Sequence, residues 1–158
     1  MMPSMRAYNL DGCGGCQLSV LSIKPDIVAL FDIVEFLPED TGQKAGIGLA
    51  IGHFDEAMLH RMQDASESLI ICGACANESY DEIIAASECL SAQRVYRARG
   101  CPLTAGELIG IIHCIVQGIK PTEKNAPVCM ECKAKENVCL LLKGYRCQGP
   151  VTRAGCDA

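Results

Sequence analysis

Through the first 120 residues, short apolar runs alternate with stretches whose apolar positions recur every three or four residues. The runs RAYNL (6–10), IVEFL (33–37), IGLAIG (47–52), SLIIC (68–72) and RVYRA (94–98) predict β-strands. Between them, QLSVLSI (17–23) and DIVALFD (26–32) predict helix, kinked at Pro25. Phe54, Met58 and Met62 recur every four residues, as on one helix face. Ser79 with Glu82 reads as a capping box opening a helix, and Thr104 with Glu107 as a second. Leu108, Ile111, Ile112 and Ile115 form an apolar stripe behind the second box, and Gly118 and Pro121 stop that helix.

Strands alternating with helices predict a doubly wound, parallel α/β sheet. From Pro121 the pattern changes. Residues 121–158 hold five cysteines, three prolines and little periodicity. They read as a loop-rich segment that a metal cluster must organise. The division expected is therefore 1–120 for the α/β domain and 121–158 for a C-terminal cluster segment.

A chain of 158 residues, 49% hydrophobic and 21% charged, has room for one packed core and a small appendage. The net charge of −5 and the lack of a basic stripe argue against nucleic acid as a partner. Aromatic residues make up 4% and tryptophan is absent, so stacking on bases or sugars has little support. The apolar runs are too short to span a bilayer, and MMPSMRAYNLD lacks the apolar region of a secretory signal. A cytoplasmic location with no direct membrane span is expected.

Twelve cysteines are the outlier, and in a cytosolic chain of this size they favour metal binding or redox chemistry over structural disulfides. DGCGGCQ (11–17) places Cys13 and Cys16 with two residues between them, a spacing shared by zinc sites, thiol–disulfide pairs and iron–sulfur clusters. In an open parallel sheet the loops leaving the carboxyl ends of strands gather on one edge. Cys13 and Cys16 follow the first predicted strand, Cys75 the SLIIC strand, and Cys101 the RVYRA strand. Four thiols from three loops thus meet at one edge, and Gly12, Gly14, Gly15, Gly73 and Gly100 let the backbone approach a bulky object. Four thiolates suit a 4Fe–4S cluster and a structural zinc alike. Zinc is usually held by two close pairs, so one pair plus two single cysteines suits the cluster better. A thioredoxin-like pair would leave Cys75, Cys101 and the C-terminal cysteines without a role.

Cys129, Cys132, Cys139, Cys147 and Cys156 follow with two, six, seven and eight residues between them, again as cluster ligands with zinc as runner-up. Cys72, Cys89 and Cys114 read as small buried hydrophobes, although Cys72 lies in the same turn as Cys75 and competes with it. His53 follows a strand end near the thiol edge. For it, as for His60 and His113, an ordinary surface or core role outweighs ligation or proton transfer. Lys133, Lys135 and Lys143 flank cluster cysteines and either offset thiolate charge or solvate the surface.

CGGCQLS, GACA, GCP followed by a helix, and CxxC leading to CQGPVTRAGC, in that order, resemble the small, electron-transferring subunit of nickel–iron hydrogenases. The likeness is to the cytoplasmic type that works with deazaflavin, nicotinamide or heterodisulfide-linked partners, and it covers nearly the whole chain. It implies a flavodoxin-like domain whose proximal 4Fe–4S cluster is held by Cys13, Cys16, Cys75 and Cys101. It implies a second cluster on Cys129, Cys132, Cys139 and Cys147, with Cys156 matching the first ligand of a third. It also implies an oxidoreductase role without an active site in this chain. The implied partners are a nickel–iron large subunit and a further electron-transfer subunit. As written, the sequence stops before the remaining ligands of the third cluster, so two clusters are expected. It departs from the family pattern at Ile51, which stands where an acidic residue is usual, and at Ser79 and Tyr80, which replace a glycine pair. The alternative is an iron–sulfur or zinc-bearing assembly module without hydrogen turnover.

Overall fold

A computed structural model describes residues 2–21, 32–38, 42–86, 94–122 and 126–152. The strands are β1 (Ser4–Asn9), β2 (Glu35–Phe36), β3 (Ala45–Ile51), β4 (Ser66–Cys72) and β5 (Arg94–Ala98). The helices are α1 (Gly15–Leu21), α2 (Glu56–Asp64), α3 (Gly73–Ala86), α4 (Ala105–Val116) and the short α5 (Cys129–Ala134), with a 3-10 turn at Leu141–Lys143. The strands form one sheet in the order β2-β1-β3-β4-β5, and every pairing is parallel. This is the flavodoxin-like, doubly wound α/β fold expected from the sequence.

The strands carry apolar residues on both faces because both faces are covered by helices. Ile47, Leu49, Ile51, Ile70 and Cys72 face one cluster, joined by Leu108, Ile111 and Ile112 of α4 and by Val20 of α1. Ala50, Leu69 and Ile71 point the other way, to Leu59 and Met62 of α2 and Ala76 and Tyr80 of α3. Alternation within one strand therefore sorts its side chains between two cores.

Several local expectations need correction. Phe54 is not on the α2 face, because Asp55 caps the helix by accepting a bond from the Met58 backbone N–H at 2.8 Å. Phe54 instead precedes the cap and joins the cluster containing Leu59, in the manner of a hydrophobic staple. Ser79 does not open a helix. α3 starts at Gly73, directly after β4, and Ser79 lies inside it with its hydroxyl donating to the Cys75 carbonyl at 3.1 Å. Thr104 does stand at the start of α4, but its side chain makes no capping bond. The IVEFL strand is reduced to Glu35–Phe36. The DIVALFD helix lies, except for its last residue, outside the described residues, as do Pro25, Cys89 and Cys156.

α4 ends as expected. Gly118 adopts φ +71°, the Gly118 N–H donates to the Ile115 carbonyl at 3.0 Å, and the Ile119 N–H donates to the Cys114 carbonyl at 2.8 Å. Those two bonds define a Schellman stop, which needs a left-handed residue.

Candidate metal centre

The loops after β1, β3, β4 and β5 are stitched together at the carboxyl edge. The Leu10 N–H donates to the Ile51 carbonyl at 2.8 Å, and the His53 N–H to the Asp11 carbonyl at 2.6 Å. Gly52 makes this crossing possible. Its φ is +105°, and a Cβ there would lie 2.6 Å from the Asp11 carbonyl oxygen. The Ala74 N–H donates to the Gly100 carbonyl at 2.8 Å, tying the Cys75 loop to the Cys101 loop. The Ser19 hydroxyl donates to the Leu103 carbonyl at 2.7 Å, tying α1 to the same place.

Asn77 carries the largest share of this stitching. Its side-chain amide donates to the carbonyls of Ile71 (3.3 Å), Gly73 (2.8 Å) and Ala98 (3.1 Å). One buried side chain thus fixes the end of β4, the start of α3 and the end of β5. Neither Asn77 nor Ser19 stands out in the sequence, because a side-chain-to-carbonyl bond across the chain leaves no local signature.

Cys13, Cys75 and Cys101 are exposed at this edge, and Cys16 is half-buried. A cleft of about 20 Å3 runs between Cys13, Cys16, Cys72 and Cys75. Burial pushes the Cys16 thiol above its usual range, and a hydrogen bond with the Leu103 backbone opposes the shift. The neighbouring thiols of Cys101, Cys75 and Cys13 add to it by repelling the thiolate. Cys13, Cys75 and Cys101, from three separate loops, are therefore all near enough to act on the Cys16 thiol.

Cys72 stands apart. It is 1% exposed, sits in the apolar cluster, and its thiol donates to the Ile70 carbonyl at 3.5 Å. Burial, then the charges of Cys16 and Glu107, hold the Cys72 thiol far above the ordinary thiol range. This is the small buried hydrophobe expected. Cys114 is half-buried on α4.

Glycine supplies room beside the sulfurs. Gly73 has φ +83°, and a Cβ there would strike the Cys16 sulfur. A Cβ on Gly15 would lie 3.4 Å from the Cys13 sulfur. Among the described residues, no three His, Cys, Asp or Glu side chains are gathered as ligands of a single metal ion. The donor set, thiols brought together from three loops, fits an iron–sulfur cluster.

In the C-terminal segment, Cys129, Cys132 and Cys147 are half-buried and Cys139 is exposed. The Val128 N–H donates to the Thr152 carbonyl at 2.9 Å, closing the segment on itself. Within that closure the sulfurs of Cys129 and Cys147 flank Gly149, at 3.5 and 3.3 Å from where its Cβ would stand. The Gly149 N–H donates to the Cys147 sulfur at 3.4 Å, a contact that stabilises a thiolate. Lys133, Lys135 and Lys143 are exposed. Met130, Val138, Leu140, Leu141, Leu142, Tyr145 and Val151 are also exposed, an apolar load unusual for a free surface.

His60 is exposed and stands 3.8 Å from Glu56, one turn away on α2, and His113 is exposed on α4. His53 is different. Its Nδ1 lies 2.6 Å from the Ser79 hydroxyl, which also receives the Phe54 N–H at 3.2 Å. The ring lines a cavity of about 810 Å3 between α2 and α3.

Fold and thiol arrangement together define a flavodoxin-like α/β protein with a cysteine-bearing carboxyl edge and a cysteine-rich C-terminal segment. Known proteins make this more particular. The chain is 29% identical over 185 residues to sulfhydrogenase 2 subunit delta of Pyrococcus furiosus, a match spanning 96% of this chain and 78% of that protein. It is 24% identical over 214 residues to a subunit of the vhu F420-non-reducing hydrogenase of Methanocaldococcus jannaschii, spanning 94% and 74% respectively. No protein-family model matches the chain. A chain of the NAD+-reducing NiFe hydrogenase, in its H2-reduced crystal structure, shares the fold with a TM-score of 0.58 and 19% identity. That likeness covers 78% of this chain and 96% of the other. Both curated relatives are hydrogenase subunits, so the hydrogenase-associated resemblance read from the motifs is supported. Among the described residues, no helix is long and apolar enough to cross a membrane.

Proposed function

We propose that this chain is the electron-transferring small subunit of a cytoplasmic nickel–iron hydrogenase. Cys13, Cys16, Cys75 and Cys101 would hold one 4Fe–4S cluster, and Cys129, Cys132, Cys139 and Cys147 a second. Residues 1–120 then form the domain of the first cluster and residues 121–158 the segment of the second. The carrying observation is that the thiols of Cys13, Cys75 and Cys101, from three separate loops, gather near Cys16 at one sheet edge. A bound 4Fe–4S cluster supplies one-electron chemistry at a potential set by charge, burial and hydrogen bonds to sulfur.

The chain's own contribution is placement. Asn77 and the Ala74–Gly100 bond hold the Cys75 and Cys101 loops in register. Gly73 leaves space at the Cys16 sulfur, and the Gly149 N–H reaches the Cys147 sulfur. The exposed thiol edge and the exposed apolar residues near the C-terminal cysteines suit faces covered by other subunits. Those subunits would be the nickel–iron large subunit and a further electron-transfer subunit, with hydrogen turnover residing in the former.

The test is anaerobic purification with accompanying subunits, followed by iron and acid-labile sulfide analysis and hydrogen-dependent dye reduction. Iron, sulfide and hydrogen-dependent reduction together are expected. Zinc in place of iron, or clusters without any hydrogen-dependent reduction, would overturn the reading.

A further inference from the structure

We propose that His53 is a redox-linked proton site for the N-terminal thiolate set, a role that rests on the electron-transfer reading above. The Ser79 hydroxyl has three partners within hydrogen-bond distance. A hydroxyl offers one proton and two lone pairs. The Phe54 N–H can only donate to it, and the Cys75 carbonyl can only accept from it. The hydroxyl proton therefore goes to Cys75, and one lone pair goes to Phe54. What is left for His53 is a lone pair, so Nδ1 must carry a hydrogen and donate it. Were the hydroxyl to donate to His53 instead, two oxygens would face each other at 3.1 Å without a proton between them.

Fixing Nδ1–H leaves Nε2 as the site where the ring gains or loses a proton. The ring can charge and discharge at Nε2 without breaking any bond around Ser79, because Nδ1 donates in both states. His53 is exposed at a cavity of about 810 Å3, so water can deliver that proton. Asp11, Asp55, Glu56 and Glu82 also line the cavity and are the other titratable groups facing the ring, while Met58, Ile83 and Phe54 supply its apolar wall. Carboxylates as a class change charge well below the histidine range.

The link to the thiol set is short. Ser79 bonds the Cys75 carbonyl, and the His53 backbone N–H bonds the carbonyl of Asp11, which stands just ahead of Cys13 in the same loop. An electron taken up by a cluster held on these thiolates would increase negative charge near the imidazole, and a proton on Nε2 would offset it. The balance is one electron from the reductant and one proton from solvent, forming one N–H bond at Nε2. Both leave on reoxidation.

The experiment is a redox titration of the anaerobically purified complex with dithionite and mediators, followed by electron paramagnetic resonance at several pH values between about 5.5 and 8.5. The N-terminal signal is the one lost in Cys101→Ala. Wild type is expected to show a potential that falls as pH rises through the histidine range. His53→Asn keeps an amide donor for Ser79 but cannot titrate, and is expected to show less than half that dependence. His60→Gln is expected to match wild type. A flat wild-type profile, or one unchanged in His53→Asn, overturns the proposal while leaving the electron-transfer reading intact. Absence of any cluster signal from wild type defeats that reading and this proposal with it. Should His53→Asn lose the signal, His53→Gln decides, because it also removes the ring that takes up the proton while keeping an amide. An unchanged profile there also overturns the proposal.

Discussion

The side-chain amide of Asn77 donates to the carbonyl of Ala98 at 3.1 Å, joining the first turns of α3 to the last residue of β5. The same amide caps the carbonyls of Ile71 and Gly73. Asn77→Ala removes the two N–H donors that these three carbonyls share. A loss of about 2–4 kcal/mol in unfolding free energy is expected, since each orphaned buried group costs roughly 1–3 kcal/mol and partial rehydration recovers some of it. Denaturant unfolding measures it, and a change below about 0.5 kcal/mol would show that other contacts hold the loops.

Gly73→Ala strikes the thiol set from the other side. The substitution meets a left-handed backbone and places a methyl against the Cys16 sulfur. It is expected to cost about 1–2 kcal/mol in backbone strain and to displace Cys16. Iron content should fall by about half if each four-cysteine set holds one cluster. Full iron retention would mean that Cys16 is not a ligand.

Cys101→Ala tests convergence itself. Cys101 is remote from Cys13 in sequence, yet its charge reaches Cys16. Loss of the N-terminal cluster signal is expected, whereas Cys114→Ala on α4 should leave it unaltered. An intact signal in the Cys101 variant would return Cys13 and Cys16 to the thiol–disulfide class.

The buried Cys72 thiol makes the fold sensitive to alkali. Its pKa is raised in the folded state, chiefly by burial. Its stabilising contribution is therefore complete below the unfolded thiol's pKa of about 8.5, and is lost as pH rises above that value towards the folded one. The loss approaches about 1.4 kcal/mol per pH unit. Unfolding measured from about pH 7 to about pH 10 should show this slope, and Cys72→Ala should reduce it. Iodoacetamide should label native Cys72 more slowly than any exposed thiol.

The iron count is the simplest check on the ligand sets. If the eight motif cysteines hold two four-iron clusters, as proposed, about eight irons per chain are expected. Cys147→Ala should remove about four of them and leave the signal that depends on Cys101. About twelve irons with three signals would require further ligands beyond these eight.

The strands and the thiol-bearing edge were legible because period-two alternation and parallel winding act over many residues at once. Ile47, Leu49 and Ile51 could face only one way, and Cys75 and Cys101 then had to leave from the same end. Helix starts were less legible where one unusual backbone angle decides them. Gly73, at φ +83°, lets α3 begin directly after β4, so the cap expected at Ser79 falls inside the helix instead. Phe54 matched the helix period yet lies outside α2, because Asp55 offers a better cap. The Ser79–His53 bond joins residues 26 apart and has no counterpart in local spacing. A strand-end histidine was its only trace.

The two thiol sets differ in when they come into being. Cys129, Cys132, Cys139 and Cys147 lie within one short stretch whose ends are clasped by Val128 and Thr152, so that stretch can organise them locally. The N-terminal set has no local existence. Cys13 and Cys101 meet only after β1, β3, β4 and β5 have paired, the last of these well past the middle of the chain. A ribosome would therefore release most of the protein before a cluster could form on this set, and until then its cysteines would be loose thiols open to oxidation. Any step that loads metal would consequently meet a completed sheet at one end and a locally closed stretch at the other.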